Sequence, residues 1–217
     1  MKRYHEVVLR NEPRDLPDDL ALPLESGAPW WYWLGARPSI DFVNTRRERW
    51  RRGVETLVTP DDLSLWLQHA ELTDRPMRVP KTVLAEAREL REAIDDCVIA
   101  VLEGARLDAG AVTLIDGWLV HAGDRPQLRV DDGVPVLGER AAADSPRRAL
   151  GMLALDAAQM LGTAAERARI RICESDTCSA RFYDRSPAGK RRWCSMQTCG
   201  NAAKARRHRA RRREVTT

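Results

Sequence analysis

A mainly helical α+β chain is what the sequence predicts: a helical body carrying one β-hairpin, followed by a small four-cysteine module built from a β-hairpin and a helix. Three observations carry that expectation. Apolar residues repeat at three and four positions, most clearly between Pro80 and Gly104; one Asp-Gly turn separates two short apolar runs; and four cysteines stand in two equal pairs near the C-terminal end. With 217 residues and 43% hydrophobic positions, the chain has material for one ordinary domain and a small appendage, not for two large lobes. A charged fraction of 31% beside seven Trp residues is too apolar for disorder, and 13 Gly and 12 Pro exclude a collagen-like chain. The expected division is an irregular N-terminal arm (1–28), a mostly helical domain (29–168) and the cysteine module (169–217).

Along the chain, residues 1–28 mix charge with Pro and Gly without a sustained period, which predicts irregular structure. Trp30-Trp31-Tyr32-Trp33-Leu34 is continuously apolar and suits a short buried strand or an extended segment across the core. Pro38-Ser39 offers a start for a helix through Ile40, Phe42 and Val43 toward Trp50. Thr59-Pro60-Asp61-Asp62 is a clearer start: a hydroxyl cap, Pro at the first helical position and acids that suit the helix dipole. The strongest helix runs from about Pro80 to Gly104, where Val83, Leu84, Ala87, Leu90, Ile94, Cys97, Val98 and Val101 share a face. Another spans about Ala109 to Ala122. Gln127–Val130 and Val134–Leu137 flank Asp131-Asp132-Gly133, a hairpin signal. Ser145-Pro146 opens a helix to about Leu161, and Thr163-Ala164-Ala165-Glu166 has the pattern of a capping box.

Several function classes lack their signatures. No glycine-rich phosphate loop, paired-carboxylate motif or His-Glu metal motif is present, so an enzyme is not expected. Cys97 sits on the buried stripe of its helix and reads as a core thiol rather than a nucleophile served by His121. No run approaches the roughly 18 apolar residues of a membrane helix. The basic start Met1-Lys2-Arg3 is not followed by an apolar segment and cleavage site, so a soluble, cytoplasmic protein is expected, in a compartment that disfavours disulfides.

Chemistry concentrates in the last 45 residues. Cys173 and Cys178, then Cys194 and Cys199, are two pairs with the same four-residue spacer, fifteen residues apart. Each short loop can bring two thiolates onto one ion, and four sulfurs complete a closed tetrahedral zinc site with no open position for catalysis. One zinc per chain is the expectation; two disulfides or an iron–sulfur cluster are the alternatives the same residues allow. The intervening stretch suits a hairpin, with Arg181-Phe182-Tyr183 as one arm, Ser186–Gly189 as the turn and Arg191-Arg192-Trp193 as the other arm. After Cys199, Gly200-Asn201 breaks and caps, and Ala202 to Arg213 is rich in the strong helix formers Ala and Arg.

Charge is divided to match. From Cys173 onward twelve Lys and Arg face four Asp and Glu, a net of +8, whereas residues 1–172 carry twenty-four basic and twenty-eight acidic groups, a net of −4. A basic end on a mildly acidic body is the distribution of a protein whose one end meets a polyanion. The candidate phosphate contacts are Lys190, Arg191, Arg192, Lys204, Arg206, Arg207, Arg209, Arg211, Arg212 and Arg213, with His208 on the same surface. Double-stranded DNA is the leading partner. Structured RNA or the ribosome would suit the same surface, and a protein-interaction module would leave the basic end unexplained.

The residues Cys-x4-Cys, Asp184-Arg185-Ser186, Arg191-Arg192-Trp193-Cys194-Ser195-Met196, Cys199-Gly200-Asn201 and Lys204-Ala205-Arg206-Arg207-His208 resemble the CGNR zinc-finger family of bacterial proteins. Upstream, Ser39-Ile40-Asp41-Phe42-Val43-Asn44-Thr45, Thr59-Pro60-Asp61-Asp62-Leu63 and Trp66-Leu67 resemble the ABATE domain that precedes this finger. The resemblance implies a stress-related transcription regulator with a helical, ligand-sensing N-terminal domain and a DNA-binding finger. The chain departs from the family after Gly200-Asn201, where the signature arginine is Ala202, so Lys204 or Arg206 would serve in its place.

Two features of the body bear on sensing. Asp41, Asn44 and Thr45 stand among apolar neighbours and serve either a small ligand or an internal hydrogen-bond network. Trp30, Trp31, Trp33, Trp50, Trp66 and Trp118 either fill the core or line an effector pocket. A homodimer on a palindromic site is a further expectation, although no heptad specifies it.

Overall fold

The computed structural model describes residues 16–28, 30, 31, 33–123, 128–137 and 143–215, and among them are seven α-helices, one π-helical turn and six short strands. Residues 1–15 of the predicted arm, Tyr32 and Gln127 lie outside the described residues. The remainder of the arm has no helix or strand, but Leu16 and Leu24 bury against Val54.

Helix α1 (Pro38–Val43) stops seven residues short of Trp50. Asn44 ends it with its N–H on the Ile40 carbonyl, and the chain turns at once into β1 (Arg46–Arg47), which pairs antiparallel with β2 (Val54–Glu55). Trp50 therefore sits in the β1–β2 loop and is 51% exposed. Among the described residues of the apolar run before α1 there is no strand: Trp33 stacks on Trp66 with ring centroids 5.4 Å apart, and Phe42 tilts onto the same indole at 5.3 Å. Those three rings are core.

Helix α2 (Pro60–His69) begins with a reciprocal capping box. Thr59 Oγ1 accepts from the Asp62 N–H at 3.2 Å while Asp62 Oδ2 accepts from the Thr59 N–H at 2.7 Å. Helix α3 (Lys81–Glu103) closes at Gly104 as expected, and α4 (Ala109–Leu119), capped by Asp108, ends three residues before Ala122. The predicted hairpin forms as β3 (Leu128–Asp131) and β4 (Val134–Leu137), with Asp131 opposite Val134. Its two central residues, Asp132 and Gly133, have φ of 47° and 78°, the positive pair that a type I′ turn requires.

Helix α5 (Pro146–Gly162) starts on the Ser145 cap and packs against α1, α3 and α4. A Cβ at Gly151 would stand 2.6 Å from the Ala122 nitrogen, so only glycine lets α5 rest on the end of α4. The short α6 (Ala164–Arg167) does not use the predicted box: Thr163 makes no side-chain cap, and the Glu166 carboxylate that would reach back is taken by Arg37 Nη1 at 2.8 Å and the Tyr183 hydroxyl at 2.9 Å. Leu90, Ile94, Leu150 and Leu153 are fully buried between these helices, and Cys97 lies with them, its thiol pushed up by burial.

The core also contains charge. Arg91 is 2% exposed and forks onto both oxygens of Glu55, at 2.7 and 2.6 Å, while its Nε donates to Glu92 at 2.8 Å. Burial opposes ionisation of Glu92, but the hydrogen bond from Arg49 and the Arg91 cation outweigh it and pull its pKa down to about 2. A folded pKa below the unfolded one is stability present above about pH 4.3 and lost as pH falls toward 2. Thermal melts from pH 6 to pH 2 should therefore show wild type losing more stability in that window than Glu92→Gln, which starts less stable; parallel curves would contradict the assignment.

Candidate metal centre and nucleic-acid interface

Two strands lead from the body to the metal centre. β5 (Ile170–Ile172) pairs antiparallel with β6 (Arg181–Tyr183), Ile172 opposite Arg181. This corrects the expected hairpin, in which 181–183 paired with 191–193. The alternation Arg169-Ile170-Arg171-Ile172 supplies the partner strand instead, with Ile170 fully buried, and the Arg192 backbone meets the first cysteine loop, its carbonyl accepting from the Glu174 N–H at 2.9 Å. The Ser186–Gly189 turn does form, closed by the Gly189 N–H on the Ser186 carbonyl at 3.1 Å.

Each cysteine pair sits on a tight loop. In the first, the Cys173 N–H bonds the Ala180 carbonyl at 2.9 Å and the Cys178 N–H bonds the Ser175 carbonyl at 3.0 Å. In the second, Cys194 precedes and Cys199 lies on a π-helical turn, Met196–Gly200, closed by the Gly200 N–H on the Ser195 carbonyl at 3.0 Å and continuing directly into α7 (Asn201–Val215). The ligand atoms of Cys173, Cys178, Cys194 and Cys199 lie within 4.8 Å of one another, with Cys194 Sγ 3.8 Å from Cys178 and 3.7 Å from Cys199. A regular tetrahedron with zinc–sulfur bonds of about 2.3 Å has edges of about 3.8 Å, so one zinc fits. All four are free thiols, not disulfides, and the several irons of a cluster would spread the sulfurs farther apart.

The protonation chemistry agrees. Hydrogen bonds from Cys178, Cys194 and Cys199 hold Cys173 far below the ordinary thiol range, while Cys178 and Cys194, facing Cys173, are held far above it. Protons shared among four touching sulfurs are what a dication replaces.

The module is not a separate bead. Arg181 is buried and forks onto Asp95 of α3, Nε to Oδ1 at 2.7 Å and Nη2 to Oδ2 at 3.0 Å. Its backbone is gripped by Asn44, which accepts the Arg181 N–H and donates to its carbonyl, both at 2.9 Å. Phe182 packs on Cys173, Cys194 and Cys199, while Tyr183 belongs to the body core and its N–H bonds the Gly35 carbonyl at 2.8 Å. Asp41, Asn44 and Thr45 are buried and each bonds a different interior partner: Asp41 accepts from the Gly35 N–H at 2.7 Å, Asn44 grips Arg181, and Thr45 donates to the Phe42 carbonyl at 2.6 Å and accepts from Arg91. Sequence reasoning missed Arg181 and Asp95, because an arginine and an aspartate far apart in the chain give no local sign of being buried together.

The basic candidates fall into two groups. Arg191 braces the second cysteine loop, with Nη2 on the Cys194 carbonyl at 2.7 Å and its guanidinium over the Phe182 ring. Arg192 pairs with Glu174 at 2.6 Å, and Arg206 reaches Asp176 at 3.8 Å. Lys190, Lys204, Arg209 and Arg211 are exposed. The side chains of Arg207, His208, Arg212 and Arg213 lie outside the described residues.

The family described as "ABATE: Putative stress-induced transcription regulator" matches residues 36–164, and the CGNR zinc finger matches residues 169–212. No curated protein matches the chain. Among the described residues no helix is long and apolar enough to cross a membrane. With more than half of its length matched by the first model and four cysteines arranged for one metal ion by the second, the chain belongs to the ABATE family and carries a zinc-binding CGNR finger.

Proposed function

We propose that the protein is a zinc-dependent, DNA-binding transcriptional regulator of the cytoplasm, and not an enzyme. The observation that carries this reading is the mounting of α7: its first turn grows out of the π-helical turn that holds Cys199, so zinc fixes the start of a helix that presents Lys204, Arg209 and Arg211 to solvent. Like charges along such a helix oppose its folding by a few tenths of a kcal/mol per pair, and phosphates relieve that repulsion. Lys204 takes the place of the family's missing arginine at Ala202, since Arg206 is turned toward Asp176. A sensing role for the body is part of the proposal. Asn44, between Asp41 and Thr45 in sequence, joins the body to β6, and a ligand that altered this contact would be felt at the metal centre.

Equilibrium binding to duplex DNA and to structured RNA at matched salt tests the partner. If about six cations meet phosphates, the logarithm of affinity for duplex should fall against the logarithm of salt with a slope of about −5. Tighter binding to RNA than to any duplex would transfer the surface to the RNA reading.

A further inference from the structure

Three of the zinc ligands, Cys173, Cys194 and Cys199, are buried, and the fourth, Cys178, is only half-buried. Beside it a cavity of about 160 Å³ separates the body from the metal module, and Cys178, Cys194 and Cys199 form part of its wall. Arg47 and Arg51, from β1 and the β1–β2 loop, line the same cavity with Thr177 at its rim. Since a water molecule needs only about 10–15 Å³ of such space, a small peroxide has ample room to reach the sulfurs.

The wall carries both signs of charge beside the sulfurs: Arg51 is paired with Asp18 at 3.0 Å, and Glu48 is held by Arg52 at 2.7 Å. Thiolate, not thiol, attacks peroxides, and zinc keeps these cysteines deprotonated. The second reactant needed for a disulfide is already in place, because Cys194 Sγ lies 3.8 Å from Cys178 Sγ.

We infer that Cys178 is an oxidation site for hydrogen peroxide and that Cys194 resolves it. In the first step the Cys178 sulfur attacks one peroxide oxygen: an S–O bond forms, the O–O bond breaks, and hydroxide leaves into the cavity. Sulfur gives two electrons and peroxide accepts them. In the second step Cys194 attacks the Cys178 sulfur, an S–S bond forms, the S–O bond breaks, and a second hydroxide leaves. Two thiolates and one peroxide thus give one disulfide and two hydroxides, which take two protons from the buffer to become water. The module then has two sulfurs for its metal and releases it. Because Cys199 is the residue from which α7 grows, release also unseats the basic helix; this last consequence rests on the nucleic-acid reading above, whereas the oxidation does not.

The test uses the zinc-loaded full chain. Graded hydrogen peroxide is added, released zinc is read with a colorimetric chelator, and cysteines are mapped by mass spectrometry with dimedone as a sulfenic-acid trap. One zinc per chain should be released at a rate proportional to peroxide, with dimedone on Cys178 before any other cysteine, a Cys178–Cys194 disulfide without the trap, and recovery on adding dithiothreitol and zinc. Thr177→Trp, which fills the cavity beside Cys178 while all four ligand residues are kept, should slow release by roughly an order of magnitude because exchange chemistry depends on access. A rate independent of peroxide, label spread evenly over the four cysteines or found first on Cys97, or unchanged kinetics in Thr177→Trp would each overturn the assignment. Duplex binding measured on the same samples separates the two readings: peroxide-driven zinc release with no loss of DNA affinity supports the oxidation site and refutes the nucleic-acid role of α7.

Discussion

Replacing Cys194 by Ser should take bound zinc from one per chain to almost none and unfold residues 184–215. The effect is large because Cys194 Sγ sits within 3.8 Å of both Cys178 and Cys199, so no three-sulfur remnant keeps the geometry. Structural zinc is worth on the order of 10 kcal/mol to a module this small. The break should not fall at residue 168, where the two sequence families part, but after Tyr183. The β5–β6 pair is held by Asn44, Asp95 and Gly35, and none of these depends on the metal. Zinc analysis with amide hydrogen exchange would check this: protection at Ile170 and Tyr183 should survive while that of α7 disappears. A full zinc complement in the variant would refute the ligand set.

The second large effect is expected at Arg181→Met. Asp95 keeps Arg49 at 3.0 Å but loses the two-pronged contact that neutralises it in a buried site. Breaking such a pair costs about 3–5 kcal/mol, which in a chain of this length lowers Tm by roughly 10 °C. Coupling should follow: weaker docking of β6 leaves Phe182 less firmly placed under Cys173, Cys194 and Cys199, so zinc affinity should fall with stability. The pair Arg181→Met and Asp95→Leu should recover part of the loss, since it leaves no buried charge unpartnered. Unchanged melting in Arg181→Met would show that this bridge does not join body and module.

The elements that could be read from sequence are those whose signals are local. Thr59 and Ser145 announce helix starts through their own side chains, Gly104 a stop, Asp132-Gly133 a turn, and the twin spacers of the cysteines a tetrahedral site. What escaped reading depends on long-range partners. Arg46–Arg47 and Val54–Glu55 have no apolar alternation to mark them as strands, because their stability comes from charge: Arg91 reaches across from α3 to Glu55. Arg181–Tyr183 faced two short candidate partners, and the Ile170 side chain, which needed burial, decided for β5. Glu166 follows Thr163 at the spacing of a capping box, yet an ion pair with Arg37 is stronger than a cap bond to a backbone N–H and draws it away. Asn44 could be recognised as polar in apolar surroundings, but its partner, the backbone of Arg181, lies 137 residues away.

The central claim is that zinc fixes the start of a helix that reads duplex DNA. Its most direct test measures affinity for a duplex selected from a random pool and for an unselected duplex, in wild type, Lys204→Ala and Arg211→Ala. Lys204 stands one turn from the metal, where a rigid mount permits contact with base edges, and Arg211 stands farther out, where backbone contacts suffice. Lys204→Ala should cost about 1–3 kcal/mol on the selected duplex and less on the unselected one, whereas Arg211→Ala should weaken both alike. Equal losses on both duplexes for both variants would contradict the account and leave a basic helix that binds polyanions without reading them.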